Sequence, residues 1–251
     1  MKISIITVCF NSVATIRDTI VSVLAQDFDD LEYLVIDGGS SDGTMEIVRE
    51  YGDNIDVVVS ESDQGIYDAM NKGIGLATGD VVGLLNSDDV YAYDSVLSEL
   101  IELMVNSGSD TVFSDLAIVD ADNCERIIRH YDSSKFNPGR LAYGWMPAHP
   151  TFMVKRELYL KHGGFLTEYQ IAADFEMVAR LLHTVAASYA YLPVVAVKMR
   201  AGGISTRGLK SSWILNREIV RACRAHGIKT SLVRVLLKIP EKLMEYLGKG
   251  K

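Results

Sequence analysis

Three runs of Val, Ile and Leu in this chain end in carboxylates. LEYLVID stops at Asp37 in DGGSSDG, IDVVVS leads to Asp63 in ESDQG, and DVVGLLN breaks into Ser87, Asp88 and Asp89. One Asp after an apolar run is a turn former or a helix cap, because its side chain accepts from backbone N–H groups two or three residues on. Recurrence at three such ends points to a pocket lined with oxygen donors. Carboxylates there suit a hard divalent cation, Mg2+ or Mn2+, which takes one or two protein oxygens and completes its shell with a ligand's phosphate oxygens. Neither GxGxxG after a strand nor GxxxxGK[ST] is present, so the dinucleotide-dehydrogenase and P-loop readings lack their phosphate-binding turns.

The elements that would carry these residues alternate. Residues 3–8, 31–37, 55–60 and 80–86 read as strands, and each is followed by a helical pattern: Ile16, Ile20, Val23 and Leu24 behind an N-cap at Ser12, then DGTMEIVREY, GIYDAMNKGIGLA and YDSVLSELIELM. Such repetition predicts an α/β fold, a mostly parallel sheet with helices on both faces. In such a sheet, ligands collect at the carboxyl ends of the strands, where helix N-termini offer unpaired N–H groups. After about residue 108 the pattern changes. TVFSDLAIVD and ERIIRHYD read as paired strands, MPAHPTFMVKRELYLKHGG as loop, strand and short helix, AADFEMVARLLHT as a helix, and SYAYLPVVAVKMR as two strands interrupted at Pro193.

With 251 residues, 48% of them hydrophobic and 23% charged, the chain can bury a large core in one domain. Three widely separated cysteines favour neither a disulfide framework nor a metal knuckle and fit a reducing compartment. The opening MKISIITVCF reads as a strand, not a signal peptide, and no apolar run approaches the ~18 residues needed to span a bilayer. Charge is unevenly placed. Residues 207–251 hold 11 Lys and Arg against 3 Asp and Glu, net +8, which leaves 14 against 30, net −16, in the rest. An acidic body of this kind argues against nucleic acid as a partner. In the tail, Leu232, Val235, Leu236, Ile239, Leu243 and Leu247 form one stripe and Arg234, Lys238 and Lys242 another, with Pro240 dividing two short amphipathic helices. Such a segment either packs on the body or lies in the headgroup layer of an anionic membrane; the charge contrast favours peripheral membrane contact through residues 229–251.

The ordered motifs SIITVCFNS, VIDGGSSDGT, SESDQGIYDAMNKGIGLATGD and LLNSDD resemble family 2 of the inverting glycosyltransferases, of the bacterial glycan-assembly type and the GT-A fold, over roughly residues 1–200. The resemblance implies a GT-A domain at 1–206, with a nucleotide-sugar-binding half at 1–108 and an acceptor half at 109–206, and a basic helical tail at 207–251. It places Thr7, Asn11, Asp37 and Asp42 near the nucleoside and Asp88 at the metal. Asn86, with Ser87, stands where the family usually has the first acid of DxD and can bond a ribose hydroxyl. It also sets Asp68, Asn71 and Lys72 over the donor's sugar or phosphates, although Asp68 and Lys72 share a helix face and can equally form a plain ion pair.

Displacing a nucleoside diphosphate in one in-line step requires a base for the acceptor hydroxyl. IAADFEMVARL is similar to the family's acid pair ahead of a helix, with Ala173 replacing the first acid and Asp174 matching the base; Asp174 can also be read as the helix N-cap, and Glu176 as the alternative base. Trp145 and His149 fall on the acceptor side, and Arg200 and Arg207 lie in a Gly-rich stretch able to meet the leaving group. The expectation is a hexosyl- or N-acetylhexosaminyl-transferase using a UDP-sugar and a divalent cation, acting on a glycan or lipid-linked acceptor in the cytoplasm at the inner face of the cell membrane. The rival is a catalytically weakened nucleotide-sugar-binding or interaction module, prompted by Asn86 and Ala173.

Overall fold

In ISIITVC all seven residues are buried, so the first strand is covered on both faces. Its alternation shows in which core each side chain joins: Ile6 and Val8 enter one hydrophobic cluster, Ile3, Ile5 and Cys9 the other. In the computed structural model, which describes residues 1–203 and 208–238, this strand, β1 (Ile3–Cys9), leads to α1 (Ile16–Leu24), β2 (Leu31–Asp37), α2 (Thr44–Glu50), β3 (Val57–Ser60), α3 (Ile66–Leu76) and β4 (Val81–Leu84). Then come β5 (Asp89–Tyr91), α4 (Val96–Ser107), β6 (Thr111–Val119), β7 (Ile127–Tyr131), β8 (Met153–Lys155), α5 (Arg156–His162), α6 (Ala173–Ala179), β9 (Tyr189–Arg200), α7 (Gly208–Ala225) and α8 (Leu232–Leu236).

The strands form one sheet in the order β3-β2-β1-β4-β8-β6-β9-β5, with β7 also paired to β6. β1 to β4 are parallel as expected, and the remainder is mixed: β8 is antiparallel to β4 and β6, β9 parallel to β6, and β5 antiparallel to β9. From β1 the chain builds outward through β2 and β3, then returns to place β4 on the other side of β1. That reversal opens a crevice at the carboxyl ends of β1 and β4. On one face lie α3, α6 and α7, on the other α1, α2 and α4. Gly73 sets the closeness of α3, since a Cβ there would lie 2.4 Å from Ile6 Cγ2.

Four local expectations are corrected. Ser12 does not cap α1; its carbonyl accepts from Thr15 and Ile16 in a preceding turn, and the helix starts at Ile16. β4 stops at Leu84, and Asn86–Asp89 is a turn, closed by the Asp89 N–H on the Asn86 carbonyl, from which β5 departs. SYAYLPVVAVKMR is one strand. Its pairing with β6 jumps from Leu192 to Val195 around Pro193, so the missing N–H falls in a bulge and does not end the strand.

The fourth concerns the C-terminal segment. Ile219, Val220, Ala222 and Cys223 of α7 and Val235 of α8 enter the core that holds α6. The described start of the tail's apolar stripe therefore faces the protein, while Val233 and Leu237 are exposed. Lys238, expected on a solvated basic stripe, is buried, and Arg234 stacks over Tyr143. Ile239, Pro240, Lys242, Leu243 and Leu247 lie outside the described residues. No described helix is long and apolar enough to cross a membrane.

Candidate active site

The loops after β1 and β2 are stitched to each other. Asn11, in the left-handed region at φ 50°, donates its N–H to Ser40 Oγ at 2.7 Å and accepts from the Ser41 N–H at 3.0 Å. Asp42 accepts from the N–H groups of Val13 and Thr44 and from the Thr44 hydroxyl at 2.6 Å, which keeps its carboxyl below the usual range. Asp37 is 1% exposed. Burial opposes its ionisation, but hydrogen bonds from Ser40 Oγ, Ser60 Oγ and the Gly39 and Ser40 N–H groups outweigh that and lower its pKa. Its oxygens are thus occupied by the protein's own donors, and it fixes the loop after β2. Thr7 is deeper still, inside the sheet, its hydroxyl accepting from Tyr33 at 3.1 Å. The loop after β3 closes on this one at Gly38, where a Cβ would lie 2.5 Å from Asp63 Oδ2.

Across the crevice, Ser12 Oγ and Ser87 Oγ meet at 2.8 Å, joining the ends of β1 and β4. Asp88 and Asp89, adjacent in sequence, have different fates. Asp89 is fully buried, and burial, then the charge of Asp88, push its pKa well above its ordinary value. Asp88 is half-buried, and its carbonyl accepts from Arg200 Nη1 at 3.0 Å. The other Arg200 nitrogen donates to Asp18 at 2.5 Å, so this guanidinium braces the turn. Asn86 Oδ1 is buried and has no hydrogen-bond partner. Asp89 Oδ1 is likewise buried without a partner, while the Asn86 amide nitrogen donates to Asp89 Oδ2, so the turn leaves two side-chain oxygens unsatisfied, and oxygen ligands of this kind suit Mg2+ or Mn2+. Among the described residues no three His, Cys, Asp or Glu side chains converge on a metal position, so a cation here would be held jointly with a ligand's oxygens.

α3 borders the crevice on the β3 side. Lys72 Nζ lies 3.1 Å from Glu61, 3.6 Å from Asp68 and 3.4 Å from the Ser62 carbonyl, so the plain ion pair is what the structure contains. Asn71 is committed elsewhere: its amide donates to the Phe165 carbonyl and accepts from the Phe165 N–H, tying α3 to the loop after α5. Tyr67 stacks on Phe165 and donates its hydroxyl to the Ile171 carbonyl at 2.5 Å, which brings α3 against the entry of α6.

Asp174 sits in the first turn of α6, half-buried. The N-cap position belongs to Ala172, so the alternative reading of Asp174 as the N-cap does not hold, although its Oδ1 accepts one first-turn amide. Burial raises its pKa to about 6, the 2.7 Å hydrogen bond from the Phe175 N–H opposing and the charge of Glu218 adding to it. Capping comes from α7: Glu218 accepts from the N–H groups of Gln170, Ile171 and Ala172 at 2.8, 2.9 and 2.9 Å. Glu176 is ruled out as the alternative base. It is 1% exposed and held by His226 Nε2 at 2.7 Å and Arg180 Nη2 at 3.1 Å.

His149 is buried in a 3-10 turn against the edge of Phe165, and burial alone lowers its pKa to about 4, so it stays neutral at pH 7. Trp145 is buried too, packed on Tyr131 and under Arg140. Through Phe165 and Tyr67, His149 joins the group around Asp174; Trp145 belongs to the β6–β7 side. Arg207 lies outside the described residues. Glu218 and Tyr67 were missed in the sequence, because bonds supplied from 46 to 48 residues away and from 104 residues away leave no local spacing to detect.

Comparison with known proteins bears on this arrangement. The family model described as Glycosyl transferase family 2 matches residues 4–165. An uncharacterized glycosyltransferase of Mycobacterium tuberculosis, Rv1514c, is 31% identical over 180 residues, covering 71% of this chain and 68% of the relative. A PGL/p-HBAD biosynthesis glycosyltransferase of Mycobacterium bovis is 28% identical over 200 residues, 74% of this chain and 75% of its own. Among solved structures, S. aureus TarS 1–349 in complex with UDP-GlcNAc matches 100% of this chain and 74% of its own, at TM-score 0.69 and 18% identity. The chain spans 44% of a longer TarS chain. Mannosyltransferase PcManGT from Pyrobaculum calidifontis, in complex with GDP-Man and Mn2+, matches 98% of this chain and 73% of its own, at TM-score 0.65 and 19% identity.

Proposed function

The chain belongs to glycosyl transferase family 2 and has the GT-A fold, and from that premise we propose that it is an inverting transferase moving a hexosyl or N-acetylhexosaminyl group from a UDP-sugar to a hydroxyl of a glycan or lipid-linked acceptor. One observation carries the reading: the crevice at the ends of β1 and β4 and the half-buried Asp174 are joined through α3, whose Tyr67 bonds the backbone three residues before Asp174. Donor rim and base therefore belong to one rigid frame.

In this proposal the nucleoside lies along the stitched loops, with Asn11 and Asp42 at its edge and Asp37 and Thr7 shaping the floor beneath. Asn86 and Ser87 meet the ribose, and Asp88, with the unsatisfied Asn86 side-chain Oδ1 behind it, would hold Mg2+ or Mn2+. When bound, the cation supplies charge neutralisation for the departing diphosphate. Lys72 and Asp68 reach the donor's sugar or phosphates only by exchanging partners within their ion pair. Arg200 acts by fixing the Asp88 turn. On the acceptor side His149 and Trp145 build the wall. Asp174 takes the proton from the acceptor hydroxyl as that oxygen attacks the anomeric carbon and the bond to the diphosphate breaks, so the configuration inverts.

UDP is favoured because TarS, of like fold, was solved with UDP and with UDP-GlcNAc; the use of a cation draws support from the Mn2+ complex of PcManGT. We place the enzyme in the cytoplasm at the inner face of the cell membrane, in contact with it through residues 229–251, on the strength of that segment's basic and apolar sequence. Thermal-shift screening of UDP-glucose, UDP-galactose, UDP-N-acetylglucosamine and GDP-mannose, each with Mn2+, tests the proposal, since a ligand that binds only the folded state raises the melting temperature. Stabilisation by a UDP-sugar followed by UDP release supports it. Binding with no turnover under any acceptor favours the weakened module that Asn86 and Ala173 suggested, and no binding of any of them refutes both.

A further inference from the structure

The backbone just ahead of Asp174 is gripped from two sides. Oε1 of Glu218 accepts from the Gln170 N–H and Oε2 from the N–H groups of Ile171 and Ala172, three bonds of 2.8 to 2.9 Å from one carboxylate. From the opposite element, the Tyr67 hydroxyl donates to the Ile171 carbonyl, and its oxygen also faces the amides of Ala173 and Asp174. The N-cap residue, Ala172, has no side chain able to do this work, and the Asp174 carboxylate accepts only the Phe175 N–H inside the first turn. We propose that Glu218 is the positioning residue of the catalytic base: by taking the amides of the three residues that lead into α6 it fixes the start of the helix and with it the direction of the Asp174 carboxylate, Tyr67 holding the same peptide from the donor side. The inference rests on Asp174 being the base.

Two physical effects follow from one group. A carboxylate is the ideal acceptor for three converging N–H donors, and charge-assisted bonds of this kind are roughly twice as strong as neutral ones. It also stands as a fixed negative charge beside Asp174, raising that carboxyl's affinity for the proton it must accept. The titratable groups facing Asp174 are Glu218 from α7 and the Tyr67 phenol from α3. Glu176 points to the other side of the helix, neutralised there by Arg180 and bonded to His226.

Glu218→Gln separates this role from bulk packing, since the amide keeps the shape but offers one acceptor to three donors. The first readout needs no substrate: NMR titration of 13C-carboxyl-labelled Asp, with the Asp174 signal identified as the one lost in Asp174→Asn. In the native protein the expected midpoint is about 6; in Glu218→Gln the midpoint falls, and in Glu218→Asp, which keeps the charge but shortens the reach, it stays raised. The second readout is UDP release from UDP-N-acetylglucosamine or UDP-glucose: kcat falls at least about tenfold in both variants while donor KM changes less than about twofold, as expected when orientation and not binding is lost. An unchanged Asp174 midpoint together with unchanged kcat in Glu218→Gln overturns the inference, as does an equal midpoint shift in Glu218→Asp. Should Asp174→Asn retain full turnover while Glu218→Gln still moves the Asp174 midpoint, the assignment of the base is refuted and the clamp stands.

Discussion

Replacing Asp174 by Asn should remove activity and strengthen the fold, and both effects can be sized. The carboxyl titrates at about 6 against an ordinary 3.8, burial being the main cause. At pH 7 about nine in ten molecules carry it ionised and ready to accept a proton; at pH 5 about one in ten do, so kcat should fall about tenfold between the two, with a slope of one proton. Asn cannot accept the proton, and turnover should drop by about 10² to 10⁴ at pH 7. For stability the sign runs the other way. A folded-state pKa above the unfolded one means that the folded chain holds its proton more tightly. That stability is fully present below about 3.8 and is lost as pH rises through about 6. Two units correspond to about 3 kcal/mol, which partial solvent exposure reduces to about 2 kcal/mol. Asn, neutral at every pH and still able to accept from the Phe175 N–H, escapes that loss. Urea unfolding of both proteins at pH 4 and pH 7 should show matched stability at pH 4 and the variant ahead by about 2 kcal/mol at pH 7. A variant that is less stable at pH 7, or a difference that does not change with pH, would refute the account of Asp174 as a desolvated base. Loss of activity alone would not rescue it.

Other outcomes follow from separate parts of the molecule. Asp88→Ala should abolish the Mn2+-dependent part of UDP binding in calorimetry while leaving the melting temperature of the free protein within a degree or two; equal UDP affinity with and without Mn2+ in the native protein removes the metal assignment. Glu32, where β2 passes β1, is buried, yet hydrogen bonds from Ser4, Thr78 and Lys2 overcome the desolvation and lower its pKa to about 2. A lowered carboxyl contributes stability above about 4.5 that is lost as pH falls through about 2, so Glu32→Gln should cost about 3 kcal/mol at pH 7 and about half that at pH 3 by urea unfolding. Removing residues 239–251 should release the protein from anionic vesicles in sedimentation, with sensitivity to salt before truncation; unchanged sedimentation assigns the contact elsewhere.

The parallel half of the fold was legible because β1, β2 and β4 are buried on both faces, which forces near-continuous Val, Ile and Leu and leaves Gly and Asp as punctuation. Mixed pairings were harder. Pro193 looks like a break when only its own strand is considered, yet a neighbour that slips register accommodates it. Residue type and spacing alone did not separate Asp88 from Asp89, although the resemblance singled out Asp88, and the pairing of β5 with β9 sets Asp89 opposite Met199 inside the sheet while Asp88 stays half-buried. Lys72 shows the same limit in reverse: spacing offered both a phosphate contact and an ion pair with Asp68, and the added partner Glu61 comes from the loop after β3.

The entry of α6 explains why the remainder stayed hidden. IAADFEM carries two acids two positions apart, and helix geometry places them on opposite faces, so periodicity says that one faces inward without saying which. The answer lies in α7. His226, just past its end, claims Glu176, and Glu218 takes the three amides that lead into the helix, so that of the two acids Asp174 is the one left half-buried in the first turn with a single backbone amide on it. A residue that looked like half of a basic tail is in this sense part of the base. Truncation that reaches into α7 should therefore cost turnover by displacing the first turn of α6, an effect distinct from any loss of membrane contact and measurable on UDP release in solution.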